Sequence, residues 1–376
     1  MNQKTKRLNK IIPFWKTHLG KAEAQAAKDA ILKGNISLGQ LSEKLEKRLA
    51  RLLDVPFVVM TTSGSSAILM ALIASGVQSE DEVILPNRTF IATAHAPLLL
   101  GARVRLIDCL EESPLIDPLQ VEKAITKRTK AIIPVHLNGR SCDLTNLLKI
   151  SERYNVSLIE DAAQAMFSRP SKKEGFLGTH GDLGCFSLGV TKFITSGQGG
   201  FVVTRNKKLY KRLKLIRIHG VKSPLAESFN DFGFNFRYTD MQAAVALKQI
   251  DKIPQKKKMH IYLYNFYREK IKKMKTIRIL EVDITKGELP LWIEIVCENR
   301  DKLFDHLKKF GIQCRKSNPN LNDSPHIKQK GSFPRSAFFK KRMLALPCGP
   351  DQDISNIKYT IKSLESFEQQ QNLRKQ

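Results

Sequence analysis

At 376 residues the chain is long enough to bury a large core, divided between one large and one smaller domain. Its 42% hydrophobic and 26% charged residues are ordinary for a globular protein, and no apolar run approaches the roughly 20 residues of a membrane helix. The 63 Lys and Arg against 36 Asp and Glu leave a formal charge of +27, which points to anionic partners.

The basic residues are spread along the chain. The local runs Lys207–Arg217 and Lys256–Lys258 fall in expected surface helices, and no zinc finger, RNP-like motif or basic zipper accompanies them, so neither specific nucleic-acid binding nor a membrane role is expected. Cysteines 109, 142, 185, 297, 314 and 348 stand singly, without a CxxC pair. That pattern argues against a zinc site or a disulfide framework and fits a reducing cytoplasm. The stretch Met1–Trp15 has basic residues but no apolar h-region, so no secretory signal is read.

In chain order, an Ala-rich helix is predicted over Lys21–Leu32, stopped by Gly34 and Asn35, and a second over Leu41–Leu53 with leucines at helical spacing. Strands Phe57–Met60, Glu82–Leu85, Arg103–Ile107, Ala131–Val135 and Ser157–Ile159 then alternate with helices Ser65–Ala74, Thr89–Leu100, Pro118–Ile125 and Leu144–Tyr154. This is the signature of βα units on a mostly parallel sheet, an α/β fold. Strands Leu183–Leu188 and Phe201–Thr204 flank a glycine-rich loop, and helices Lys207–Leu215 and Met241–Lys248 follow, the second capped by Thr239 or Asp240. The texture changes after Pro254, which divides the chain into an arm with a large domain, 1–255, and a small C-terminal domain, 256–376. The latter reads as a long basic helix over 256–275, strands Ile277–Leu280 and Leu291–Cys297, a helix Asp301–Phe310 capped by Asn299, a strand Ile312–Arg315, a polar loop Ser317–Phe333 and a final helix from Ile354 to Gln369.

Ligands of such sheets bind beyond the carboxyl ends of the strands. Thr61–Ala67 opens a helix with small hydroxyl residues and Gly64, which reads either as simple capping or as an anion site of free amides. Phe90 reads as core or as a stacking platform. Glu160-Asp161-Ala162-Ala163-Gln164 reads as a helix cap or as a carboxylate that keeps a ring nitrogen protonated. Lys192, between Ser187 and the Gly197-Gln198-Gly199-Gly200 loop, is either a surface lysine or an amine desolvated for attack on a carbonyl.

The order Ser63-Gly64-Ser65, Phe90, Glu160–Gln164, Ser187, Lys192 with its glycine loop, and Asn235-Phe236-Arg237 resembles the DegT/StrS-type family of pyridoxal phosphate (PLP)-dependent sugar aminotransferases. The resemblance runs from about Thr17 to Phe367 and includes Phe310-Gly311-Ile312 and Leu344–Pro347. It implies the fold type I aminotransferase architecture, PLP as cofactor, L-glutamate as amino donor and a nucleotide-linked keto-sugar, 4-keto-6-deoxy, as acceptor. Lys192 would be the Schiff-base lysine and proton shuttle, and Asp161 would pair with the pyridine nitrogen. Gln164, one helical turn on, would lie near the phenolic oxygen, and Phe90 would stack on the ring. Gly64, Ser65 and Ser187 would bind the phosphate, completed by Asn235 of a second subunit, which makes a homodimer with a shared site. Three departures bear on substrate choice: Phe193 where asparagine is common, Gln198 for glutamate, and Leu188-Gly189-Val190 before the lysine. The alternatives are a 3-keto-sugar or cyclitol aminotransferase and a non-catalytic PLP-binding regulator; a sugar dehydratase of this scaffold carries histidine in place of Lys192. His136, His180 and His219 are expected to be structural or peripheral, and Arg237 either meets a substrate anion or forms a structural ion pair.

Overall fold

The structure, a computed structural model, describes residues 11–222, 227–327, 329 and 331–373. Helices α1 (Lys21–Leu32) and α2 (Gln40–Leu53) precede seven strands: β1 (Phe57–Thr61), β2 (Glu82–Pro86), β3 (Arg103–Ile107), β4 (Thr129–Ile132), β5 (Ser157–Asp161), β6 (Leu183–Ser187) and β7 (Gly200–Thr204). Their order in the sheet is β1-β7-β6-β5-β4-β2-β3. The run from β3 to β6 is parallel, and β7 is antiparallel to both of its neighbours, β6 and β1. Helices α3 (Gly64–Ala74), α4 (Ala92–Leu99), α5 (Pro118–Ala124) and α6 (Leu144–Tyr154) make the crossovers.

Both faces of the sheet are covered, as side-chain alternation requires. In β1, Val59 enters the core under α3, while Val58 and Met60 enter the opposite core with Leu45 and Leu49 of α2. In β7, Val202 faces the first core and Phe201 and Val203 the second. Helix α3 is buried nearly all round, which explains its uniformly apolar sequence.

Helices α7 (Lys207–Arg217), α8 (Asp240–Asp251) and α9 (Ile253–Ile271) lead to a second sheet. It is built from β8 (Ile277–Ile279), β9 (Ile293–Cys297), β10 (Arg315–Lys316) and β11 (Met343–Leu346), in the order β10-β11-β9-β8, all antiparallel. Helix α10 (Arg300–Lys309) links β9 to β10, which run the same way on either side of β11. Helices α11 (Pro334–Arg342) and α12 (Ile354–Leu373) complete this part. Residues of the arm lie here as well: Ile12 bridges Ile312, and Trp15 bridges Cys348. No helix among the described residues is long and apolar enough to cross a membrane.

Several boundaries differ from the sequence expectation. Helix α4 starts at Ala92 rather than Thr89, so Phe90 does not open it. The strand expected over Ala131–Val135 ends at Ile132, and Val135 makes only an isolated bridge to Asp161. Helix α9 takes in Pro254 in its first turn, where proline needs no donor, so the helix expected over 256–275 runs instead over Ile253–Ile271. The strand expected over Ile312–Arg315 is shifted to Arg315–Lys316, because Ile312 is taken by Ile12. Helix α11 and strand β11 fall beyond the expected loop Ser317–Phe333, where no element was assigned. Thr239 caps α8 as expected, but Asp240 caps a different helix: its carboxylate accepts from the amides of Gly39, Leu41 and Ser42 at the start of α2 (2.8–3.0 Å).

Candidate active site

The carboxyl ends of β1, β2, β5 and β6 open into one cleft of about 250 Å³. Gly64, Ser65, Phe90, Asp161, Gln164, Ser187 and Lys192 all line it, together with Ser63, Thr89, Thr93, Thr191 and Gln198. Trp292, Arg315 and Asn318 come from the region of the second sheet. Asn235 does not line the cleft of its own chain. It is exposed, bridges Ile218, and its Oδ1 accepts from Arg237 Nε (3.0 Å).

One wall is the amino end of α3. The Ser63 hydroxyl accepts from the Ser66 amide (3.1 Å), which leaves the amides of Gly64 and Ser65 without an acceptor among the described residues. This end is pressed against the end of β6. A Cβ on Gly64 would sit 2.9 Å from the Ser187 Cβ, and one on Gly200 would sit 2.4 Å from the Ser63 carbonyl. Only glycine allows the two backbones so close.

The floor is the end of β5. Asp161 is buried; its Oδ2 accepts from the Thr93 hydroxyl (2.9 Å) and its Oδ1 from the Ala163 amide (3.1 Å). Burial raises its pKa above the ordinary carboxylate value, against the pull of those bonds and of Lys192. No helix follows Asp161. Gln164 therefore sits in a turn rather than one helical turn on, and it still reaches the cleft. Its Oε1 accepts from the Asn138 amide (3.0 Å). Asn138, fully buried and left-handed (φ 55°), in turn receives the amides of Leu291 (3.1 Å) and Trp292 (2.6 Å). That chain of bonds fixes Trp292 over the opening.

Lys192 closes the site. Its amine lies 5.6 Å from the centre of the Trp292 ring. Burial pushes its pKa down to about 8, Arg315 pushes the same way, and Asp161 opposes both. The next residue, Phe193, is buried against His260 (ring centres 5.2 Å apart), and its carbonyl accepts from the buried Lys256 amine (3.2 Å). The loop that carries Lys192 is thereby anchored to α9.

Behind the floor, Glu160 points to the far side of β5. It accepts the amides of Gly178 (2.8 Å), His180 (2.7 Å) and Gly181 (2.7 Å), and pairs with His136 Nε2 (2.8 Å). Because His136 Nδ1 accepts from the Cys142 amide (3.2 Å), Nε2 is the nitrogen that carries the proton. His136 and Glu160 form an internal clamp that sets the strand bearing Asp161. His180 contributes its backbone to this clamp, and neither His180 nor His219 lines the cleft. Arg237 is held by Asn235.

A family model matches residues 17–365, and its description is the DegT/DnrJ/EryC1/StrS aminotransferase family. This chain belongs to that family. It is an enzyme, a transaminase of fold type I architecture, and membership implies pyridoxal phosphate as cofactor. A GDP-perosamine synthase from Caulobacter vibrioides is 32% identical over 287 residues, 74% of this chain and 76% of that protein. The spore coat polysaccharide biosynthesis protein SpsC of Bacillus subtilis is 26% identical over 383 residues, 95% of this chain and 97% of that one. Among solved structures, S. venezuelae DesV in complex with a ketimine intermediate superposes with a TM-score of 0.89 at 29% identity, covering 95% of this chain and 98% of the other.

The residues that sequence reasoning passed over are Thr93, Trp292, Arg315 and Asn318. Thr93, in the first turn of α4, lies four residues after Thr89, shares a hydroxyl hydrogen bond with it (3.0 Å) and donates to Asp161. The other three arrive from a distant part of the chain.

Proposed function

We propose that this enzyme transfers the amino group of L-glutamate to the keto carbon of a nucleotide-linked deoxysugar, with the 4-keto-6-deoxy sugars as the acceptor class. The observation that carries the reading is the conjunction, in one cleft, of a lysine amine with its pKa lowered to about 8 and a buried carboxylate held by Thr93 and Ala163.

The residues present fit pyridoxal phosphate. The unpartnered amides of Gly64 and Ser65, at the positive end of α3 and beside Ser187, are a cradle for a dianionic phosphate. Asp161, buried and acceptor-only when ionised, would face a ring N–H. Phe90, half-exposed at the rim, would cover the ring, and Gln164 would lie along its edge. When bound, the cofactor supplies a carbonyl for the Lys192 amine and an electron sink for the substrate carbon. With its pKa lowered to about 8, the Lys192 amine would serve as the base that takes and returns the proton of the donor carbon. Trp292 and the Phe193 anchor limit its swing.

The acceptor class is supported by the names of the relatives, a GDP-perosamine synthase and a spore coat polysaccharide protein. The +27 charge suits a nucleotide diphosphate. We place the working enzyme in a homodimer in which Asn235 reaches the partner's phosphate site. Asn235 is exposed beside Phe229, Phe232 and Phe234, which are 62–82% exposed in the single chain. A cytoplasmic location is supported by six cysteines that are all unpaired.

The test is the absorption spectrum of the purified holoenzyme before and after L-glutamate. A yellow band that borohydride fixes on Lys192, and that glutamate bleaches with release of 2-oxoglutarate, is the expected result. A protein that binds no cofactor, or whose band ignores glutamate, overturns the proposal.

A further inference from the structure

Arg88, in the turn between β2 and α4, is 5% exposed. Its Nη1 donates to the Asn318 carbonyl (2.7 Å) and to Asn320 Oδ1 (3.1 Å). Among the described residues its Nη2 meets only the Met343 sulfur (3.7 Å), a weak acceptor. Its Nε is buried without a partner among the described residues. Two carboxylates act on it from a distance, and both are engaged elsewhere: Glu294 with Arg140 (2.7 Å) and Asp323 with Lys340 (3.0 Å).

A buried guanidinium without a carboxylate is costly, and the edge left without a strong acceptor here is the Nε–Nη2 side, which a ligand reaches once the Met343 side chain gives way. That edge presents two parallel N–H groups and matches both oxygens of a carboxylate. Asn318 and Asn320 hold the other end still, so the fork is already oriented. Arg88 lines a small recess with an open volume of about 50 Å³, room for about three or four waters and too small for a sugar ring. The recess adjoins the cleft: Thr89, Gln164, Trp292, Arg315 and Asn318 line both. Arg315 brings a second guanidinium to the shared wall, 6.0 Å from the Trp292 ring centre. An amino-acid donor carries its carboxylate one bond from the carbon that loses the amine. It therefore needs a cation in a narrow space just beyond the reacting amine.

We propose that Arg88 is the residue that seats a carboxylate of the amino donor, through its Nε–Nη2 edge. This rests on the transamination from L-glutamate proposed above. Arg88 thereby selects amino-acid donors over plain amines, and the acceptor sugar's ring stays in the larger cleft.

The test compares holoenzyme with R88Q and R88K in the half-reaction, using L-glutamate and, separately, ethylamine, which has no carboxylate. Arg88→Gln is expected to raise the glutamate concentration for half-maximal bleaching roughly 10- to 100-fold, the worth of a charged hydrogen-bond pair, with little change in the maximal rate. The slow reaction of ethylamine is expected to stay as it is. Arg88→Lys keeps the charge, loses the fork, and is expected to fall between. Calorimetric binding of glutarate to the cofactor-free protein should weaken by the same factor in R88Q. A merely structural arginine would lower both amine reactions alike and leave glutarate binding intact, and either result overturns the assignment. If wild-type holoenzyme ignores glutamate, the donor proposed for the enzyme is wrong; the glutarate measurement still decides whether Arg88 is a carboxylate site.

Discussion

Replacing Lys192 by methionine should make the cofactor-free protein more stable. In the folded chain the amine has been taken from its ordinary pKa of 10.5 to about 8, chiefly by burial. Each pH unit of such a drop is worth about 1.4 kcal/mol, so the folded state bears about 3 kcal/mol for that site at pH 7. The unfolded chain holds the proton more tightly than the folded one. The cost is therefore complete below about pH 8 and disappears as pH rises through 10.5. Methionine keeps most of the methylene stem and removes the charge. Urea unfolding of stripped wild type and K192M at pH 7 should differ by about 3 kcal/mol in favour of the variant, and at pH 10 by under about 1 kcal/mol. A variant that is no more stable at pH 7, or a gap that is the same at both pH values, refutes the view that Lys192 is held in a desolvated, strained electrostatic position.

Other consequences can be checked with simple variants. Glu160→Ala leaves the amides of Gly178, His180 and Gly181 and the His136 ring without their acceptor, and should cost about 3–5 kcal/mol in denaturant unfolding. Gly64→Ala forces a Cβ to within 2.9 Å of Ser187 Cβ, so cofactor affinity in equilibrium dialysis should fall while urea stability changes by less than about 2 kcal/mol. Mixing inactive K192A with N235A after co-refolding should restore about a quarter of the wild-type half-reaction rate, since one site in each mixed dimer is intact; no recovery means that Asn235 serves its own chain or none.

The periodic elements of this fold were legible because strands buried on both faces read as short apolar runs and their helices as amphipathic or Ala-rich stretches. Helix Lys21–Leu32 and strand Arg103–Ile107 were placed to the residue. The elements that escaped are those set by distant partners. Ile312 could not be seen to pair with Ile12, nor Leu321 to donate to the Asn87 carbonyl (3.0 Å), from any local pattern. The site shows the same division. Gly64, Asp161, Ser187 and Lys192 stand at or shortly after strand ends, where ligands of such sheets bind, but position alone left each with a plain structural reading, and only their order along the chain singled them out. Trp292 is tied to the cleft by Asn138, 154 residues away in the chain, and Arg88 stands out through its burial, which a sequence does not display.

Strand β7 has a consequence for the order in which the molecule can be made. It is the last strand of the large sheet in the chain, yet it lies between β1 and β6, and its Gly200 pairs with Thr61 on one side and Ser187 on the other. The amino end of α3 and the end of β6, two walls of the cleft, are thus joined by a piece that leaves the ribosome after both. A nascent chain stopped before Gly200 presents β1 and β6 as two bare apolar edges, the kind that recruits chaperones or neighbouring chains. The cleft is complete only once residues 200–204 are in place, and any slowing of synthesis just upstream of them lengthens the interval in which this enzyme is most exposed to aggregation.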